Sequence, residues 1–138
     1  MSKLQKINAG NNVLTWFEIP VVNTERAKKF YETILAIEMS TRTIPETGEV
    51  LTFFPYDPQI VQATSGRVTG VLSQTTKNKP SKEGTLVYIN ASPDLQQVLD
   101  KVEAAGGKVL VPRMLINAGY IAVILDTEGN RVGLHAEN

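Results

Sequence analysis

Apolar residues fall along this chain in two alternating patterns. Positions 13–21 (Val-Leu-Thr-Trp-Phe-Glu-Ile-Pro-Val) are dense in β-branched and aromatic residues and predict a strand, with Pro20 near an edge or end. Ala27, Phe30, Tyr31, Ile34 and Leu35 then recur at the spacing of a helical stripe, capped by Asn23 or Thr24 and with Glu25 in the first turn. Three extended stretches follow at 40–44, 50–56 and 67–74. They are divided by Pro45-Glu46-Thr47-Gly48, Asp57-Pro58 and Ser65-Gly66. The order is β-α-β-β-β.

After a polar, aperiodic connector at 77–84, the order repeats. A strand at 85–91 precedes a helix at 95–105, with Leu95, Val98, Leu99 and Val102 on one face and Ala105-Gly106-Gly107 as its stop. Strands at 108–111, 120–126 and 131–135 follow, the last two joined through Glu128-Gly129-Asn130. Gly66-Arg67-Val68-Thr69-Gly70-Val71-Leu72 echoes Gly129-Asn130-Arg131-Val132-Gly133-Leu134-His135, which points to a duplicated unit. The expected organisation is one α+β domain over 1–138, with module one at about 10–76 and module two at 85–136.

Composition narrows the partners. The 14 lysines and arginines balance 14 aspartates and glutamates, so no net field draws the protein to nucleic acid or an anionic membrane. With no cysteine there is no disulfide, zinc-thiolate site or thiol nucleophile. Met1 to Asn8 lacks an apolar signal core and no later run is long enough to span a bilayer, so a cytoplasmic location is expected.

The strings Phe17-Glu18-Ile19-Pro20-Val21 with Arg26-Ala27 and Phe30-Tyr31, Val102 through Val109, and Leu125-Asp126-Thr127-Glu128-Gly129-Asn130 together resemble the vicinal oxygen chelate superfamily, the glyoxalase and bleomycin-resistance proteins. The resemblance implies two βαβββ modules making a curved mixed sheet around a cleft, and a homodimer. It also implies, in metal-dependent members, a His, Glu or Gln ligand on the first and last strand of each module. Matched residue by residue, those four positions fall at Trp16, Gly70, Leu86 and Gly133. None offers a side-chain donor, so no divalent metal or other cofactor is expected, and a small organic ligand beside an aromatic wall is.

Strand alternation from those positions sends Trp16, Glu18, Gly70, Leu72, Gln74, Leu86, Tyr88, Asn90, Arg131, Gly133 and His135 to the cleft. Phe17, Ile19, Val87, Ile89, Val132 and Leu134 go to the helices. Glu18, a carboxylate inside an apolar strand, is the candidate base, with an ion-paired glutamate, for instance beside Arg131, as its plain alternative. His135, the only histidine, is a candidate acid or base, or a solvated strand end. Trp16, Tyr88, Asn90, Gln74 and Arg131 are candidate ligand contacts, and Arg113 is another from a long, closable loop at 112–119. Trp16 packing in the core is an equal alternative. Phe30 and Tyr31 read as core, while at least one of Phe53, Phe54 and Tyr56 should face the cleft or a dimer contact.

Two functions follow as expectations: a metal-independent binder of a small organic molecule, or a lyase or isomerase-like enzyme acting on a small carbonyl compound with Glu18 as base. In the second, His135 or Tyr88 is the acid, and a non-standard metal on Glu18 and His135 is its variant. A degenerate site with a purely structural role is the third alternative.

Overall fold

The computed structural model describes residues 6–61 and 65–138; Met1 to Gln5, which entered the reading of the N-terminus, lie outside them. The elements run β1 (Phe17–Pro20), α1 (Thr24–Leu35), β2 (Ser40–Thr43), β3 (Val50–Phe53), β4 (Gly70–Gln74), β5 (Tyr88–Asn90), α2 (Leu95–Val102), β6 (Lys108–Ile116), β7 (Gly119–Leu125) and β8 (Arg131–Ala136). The chain is α+β, with two βαβββ modules. Each module forms its own four-stranded sheet, β1-β4-β3-β2 and β5-β8-β7-β6, in which the first strand pairs parallel to the last and the other pairs are antiparallel. No closed barrel forms, and no helix among the described residues is long and apolar enough to cross a membrane.

Both helices lie on the same side of the two sheets, because their stripes share one buried cluster. Phe30, Tyr31 and Ile34 of α1 meet Leu95, Leu99 and Val102 of α2 together with Ile19, Leu72, Ile89 and Leu134 from the strands. Asn23 starts α1 by accepting from the Arg26 N–H at 3.0 Å, and Asp94 starts α2 in the same way through the Gln96 N–H.

Several elements are shorter than expected. β1 begins at Phe17 rather than at position 13, because its partner β4 begins opposite it at Gly70. Val13 and Leu14 thus have no strand to pair with and are 77% and 51% exposed. β3 likewise stops at Phe53, β5 keeps only Tyr88–Asn90, and α2 ends at Val102.

The expected loop at 112–119 is mostly strand. β6 runs to Ile116 as an edge strand and accommodates Pro112 through register shifts between Val109 and Met114. Only Asn117 and Ala118 connect it to β7, and Gly119 must be glycine there: its φ is 112° and a Cβ would sit 2.5 Å from the Ala136 carbonyl oxygen.

The turn before β8 joins the two modules. Asp126 is 4% exposed. Its Oδ1 accepts from the Glu128 and Asn130 N–H groups at 2.8 and 2.9 Å, and its Oδ2 from the Tyr31 hydroxyl at 2.8 Å and Asn130 Nδ2 at 3.0 Å. Asn130 Nδ2 also donates to the Pro20 carbonyl at 2.7 Å. Glu128 reaches back to the start of α1, where its Oε1 accepts from the Val22 and Asn23 N–H groups, both at 2.8 Å, and its Oε2 from Arg26 Nε at 2.7 Å.

Burial works to raise the Glu128 pKa, but the Arg26 guanidinium and these backbone donors outweigh it and hold the carboxyl below its usual range. Burial first, and the neighbouring Asp126 charge second, push the Tyr31 hydroxyl well above its ordinary value, so it stays protonated as a donor.

Two outcomes are expected. Tyr31→Phe leaves a buried carboxylate short of a donor and should cost about 1–3 kcal/mol in urea unfolding. Because the Glu128 pKa is depressed in the folded state, its contribution is complete above the unfolded carboxylate value of about 4.3 and is lost as pH falls through the lower folded value. The stability difference between the parent and Glu128→Gln should therefore shrink on acidification below about pH 4.5 and stay flat between about pH 6 and 8.

Candidate functional site

Register and burial define which side chains lie on the side of the sheets away from the helices. In module one, Glu18, Val71 and Phe53 stand side by side across β1, β4 and β3 on that helix-free side. Trp16 joins them: its indole Nε1 donates to Glu18 Oε2 at 3.3 Å, and its ring meets Phe53 edge to face, 6.0 Å between centroids. Tyr56 lies 5.6 Å from Phe53, and the Arg42 guanidinium stands 5.9 Å from the same ring. The result is an aromatic wall with one exposed carboxylate hydrogen-bonded to an indole. Phe54 instead packs inward against Phe17 and Tyr31.

In module two, Tyr88 pairs with Gly133, and Asn90 with His135. A Cβ on Gly133 would lie 2.5 Å from the Tyr88 ring, so the ring rests on bare backbone and leaves the tyrosine 48% exposed. His135 Nε2 is 2.7 Å from the Ala118 carbonyl oxygen. A carbonyl only accepts, so Nε2 carries the proton and Nδ1 is the nitrogen left for other contacts. Asn90 Oδ1 accepts from the Ser92 N–H at 2.9 Å, leaving its amide nitrogen outward, and Arg131 is exposed at the start of β8.

The structure thus gathers Trp16, Glu18, Tyr88, Asn90, Arg131 and His135 on the helix-free side, but not two other candidates. Gln74 faces the helices, where its Oε1 accepts from the Thr24 N–H at 2.9 Å and from the Thr24 hydroxyl, and so caps α1. Arg113 sits on β6, its guanidinium 3.6 Å from the centre of the Tyr120 ring, rather than on a closable loop. No ion pair joins Glu18 to Arg131 among the described residues; the pair present there is Arg26 with Glu128. Ser73 occupies the place in β4 that His135 has in β8, and its buried hydroxyl has no hydrogen-bond partner among the described residues. Nothing in the structure explains that orphan.

The echo between the modules is offset by one residue. Ile19 with Leu72 and Ile89 with Leu134 are the matching pairs that enter the core, so Val71, not Gly70, corresponds to Gly133. A one-residue slip exchanges faces. Gly70 and Leu72 accordingly face the helices, and Gly70 is glycine because a Cβ would collide with the Phe17 carbonyl and ring.

The four positions where metal-dependent relatives would place ligands are then Trp16, Val71, Leu86 and Gly133: an indole, two aliphatic side chains and bare backbone. These residues do not fit a divalent metal. Glu18 and His135 are not joined by further donors into a ligand group either, since no cluster of three or more His, Asp or Glu among the described residues could hold an ion.

Comparison with known proteins bears on the whole arrangement. The family described as Glyoxalase/Bleomycin resistance protein/Dioxygenase superfamily matches residues 13–134. Two curated mycobacterial proteins, both named "Putative glyoxylase CFP32", from Mycobacterium bovis and Mycobacterium tuberculosis, are 27% identical over 124 residues. Those residues are 89% of this chain and 45% of each relative, so the chain spans about half the length of the curated relatives it matches.

Among solved structures, glyoxalase I from Zea mays aligns with a TM-score of 0.64 at 20% identity, over 90% of this chain and 46% of that one. Glyoxalase I from Leishmania major aligns at 0.62 and 20%, over 91% and 87%. A glyoxalase/bleomycin resistance protein from Albidiferax ferrireducens aligns at 0.59 and 17%, over 89% and 97%. At these identities the likeness is one of fold. With the family match covering nearly the whole chain and the two modules laid out as described, the chain belongs to the glyoxalase/bleomycin resistance protein/dioxygenase superfamily.

Proposed function

We propose that the chain binds a compact organic molecule on the helix-free side of its sheets, without the divalent metal of its metal-dependent relatives. The observation that carries this reading is the content of the four ligand positions, Trp16, Val71, Leu86 and Gly133, which replace every donor by apolar surface or open backbone. Trp16, Phe53 and Tyr56 supply flat apolar area at low entropic cost, and the Tyr88 ring over Gly133 extends it into module two. Asn90, Arg131 and His135 Nδ1 supply the few polar contacts that orient a ligand in such a site. A two-fold dimer belongs to this reading, as the resemblance implies.

One observation favours a second reading. Ala118 fixes the His135 tautomer, and Glu18 presents an exposed carboxylate on the same side of the sheets. These are the groups a lyase or isomerase would use to move a proton beside a carbonyl, with Glu18 as base and His135 as acid. The enolate would need Arg131 or Asn90 as its electrostatic partner.

The deciding experiment is metal analysis of protein purified without chelator or affinity tag, with thermal unfolding in Mg²⁺, Mn²⁺, Ni²⁺, Zn²⁺ and Fe²⁺. The expected result is no stoichiometric metal and no metal-dependent shift. Stoichiometric metal, with stabilisation abolished by Glu18→Ala or His135→Ala, overturns the reading. Gly133→Ala should cost about 1–3 kcal/mol by forcing the Tyr88 ring aside, and a double-mutant cycle with Tyr88→Ala should recover most of it.

A further inference from the structure

The two sheets do not join. β1 and β5 are the end strands that flank the seam between the modules, and their Cα atoms stay more than 8 Å apart, well beyond the usual strand spacing. In a parallel pair, alternate residues turn both backbone polar groups toward the partner. The Val21 N–H donates to the Ser73 carbonyl, the Gly133 N–H to the Val87 carbonyl and the Ala91 N–H to the His135 carbonyl. Odd-numbered residues of β1 and β5 therefore serve β4 and β8, and Glu18, Tyr88 and Asn90 turn their N–H and C=O groups into the seam. The Pro20 carbonyl confirms that direction, because Asn130 Nδ2 reaches it from across the seam. The backbone groups of Glu18, Tyr88 and Asn90 have no protein partner among the described residues.

Where the seam passes Tyr88 and Asn90 it opens into a cavity of about 440 Å³, walled by Phe17, Leu35, Ile37, Phe54, Ile89 and Val98. None of the described residues that line it carries a charged side chain. Its volume lies within the range of about 300–1,000 Å³ typical of small-molecule sites. It is distinct from the aromatic wall: Phe17, Phe54 and Ile89 point toward the helices, whereas Trp16 and Phe53 lie on the opposite side. A smaller hollow of about 200 Å³ continues the seam past Glu18 and Arg131, so charge is confined to that end.

We propose that this cavity is a second binding site, for a compact, uncharged, chiefly apolar molecule that presents a carbonyl beside an N–H, as a lactam does. The apolar walls take the body of the ligand. Its donor and acceptor pair with the outward C=O and N–H groups of Tyr88 and Asn90, as an added strand pairs with a free edge. A charged group would lose its hydration without a partner here, which excludes ionised ligands.

The test uses the full chain labelled with ¹⁵N and titrated with 2-quinolone, a flat lactam, and separately with quinoline, which has the same shape without the amide. Saturable shifts are expected at the Tyr88 and Asn90 backbone amides, while the Trp16 indole N–H on the helix-free side stays in place. Quinoline should bind about fivefold or more weakly for want of the paired hydrogen bonds. Ile37→Phe and Val68→Phe, two substitutions at half-buried wall positions that fill the cavity, should each weaken 2-quinolone binding about tenfold or more. The proposal is overturned by an absence of saturable shifts at Tyr88 and Asn90, by equal binding of the two probes, or by cavity-filling variants that fold and bind as the parent does. Tyr88 and Asn90 also border the helix-free site through their side chains, so the two sites are told apart by Ile37 and Val68, which line this cavity alone, and by the Trp16 indole, which belongs to the other site alone.

Discussion

A buried carboxylate in the turn before the last strand holds the two modules in one arrangement. Asp126 lies in the interior and accepts from two backbone N–H groups of its own turn, the Asn130 amide and the Tyr31 hydroxyl. An ion there is tolerated only because each of those donors replaces water. Two neighbours extend the same turn outward. Glu128 caps the start of α1 and Asn130 bonds the end of β1, so a five-residue turn in module two fixes the passage from the first strand into the first helix of module one. The seam between the sheets exists because these contacts join the modules at one end and through the helices, while β1 and β5 stay unbonded to each other.

Above that framework, the alternation of side chains decides what the helix-free side can do. Ile19, Leu72, Ile89 and Leu134 are drawn into the common core. Their immediate neighbours Glu18, Val71, Tyr88 and Gly133 are thereby committed to the other side, whatever their polarity. Two consequences follow for chemistry. The positions at which relatives of this fold would place metal ligands are apolar or empty, and the rings that remain are organised by each other and by bare backbone, Trp16 against Phe53 and Tyr88 across Gly133. Glu18 is held by an indole rather than a cation, and His135 by a carbonyl. These contacts orient the two groups without pairing either with an opposite charge.

Membership of the superfamily constrains the architecture more than the activity. The three solved structures compared above share the fold at identities of 17–20%, and the curated relatives are about twice as long as this chain. Fold and function are separable because function resides in a few side chains grafted onto a tolerant scaffold. On the helix-free side of this chain the scaffold carries aromatic rings, Trp16, Phe53 and Tyr88, beside Glu18 and His135.

The sequence by itself determined the element order, the two-module repeat, the core stripes of both helices and the family. Each of these depends on short-range periodicity or on a local turn such as Asp126 to Asn130. Alternation counted from the positions matched to the family also put Trp16, Glu18, Tyr88, Asn90, Arg131 and His135 on one side of the sheets, the helix-free side where they lie. Only the tertiary structure decided the rest. Val13 and Leu14 have strand propensity but no partner strand, and the 112–119 segment is strand because β7 lies beside it. The Gly70 echo was a local likeness that pairing shifted by one residue, and Gln74 was claimed by the open end of α1. Pairing, register and capping are contacts between residues distant along the chain, and no periodicity within a segment encodes which distant partner will be there.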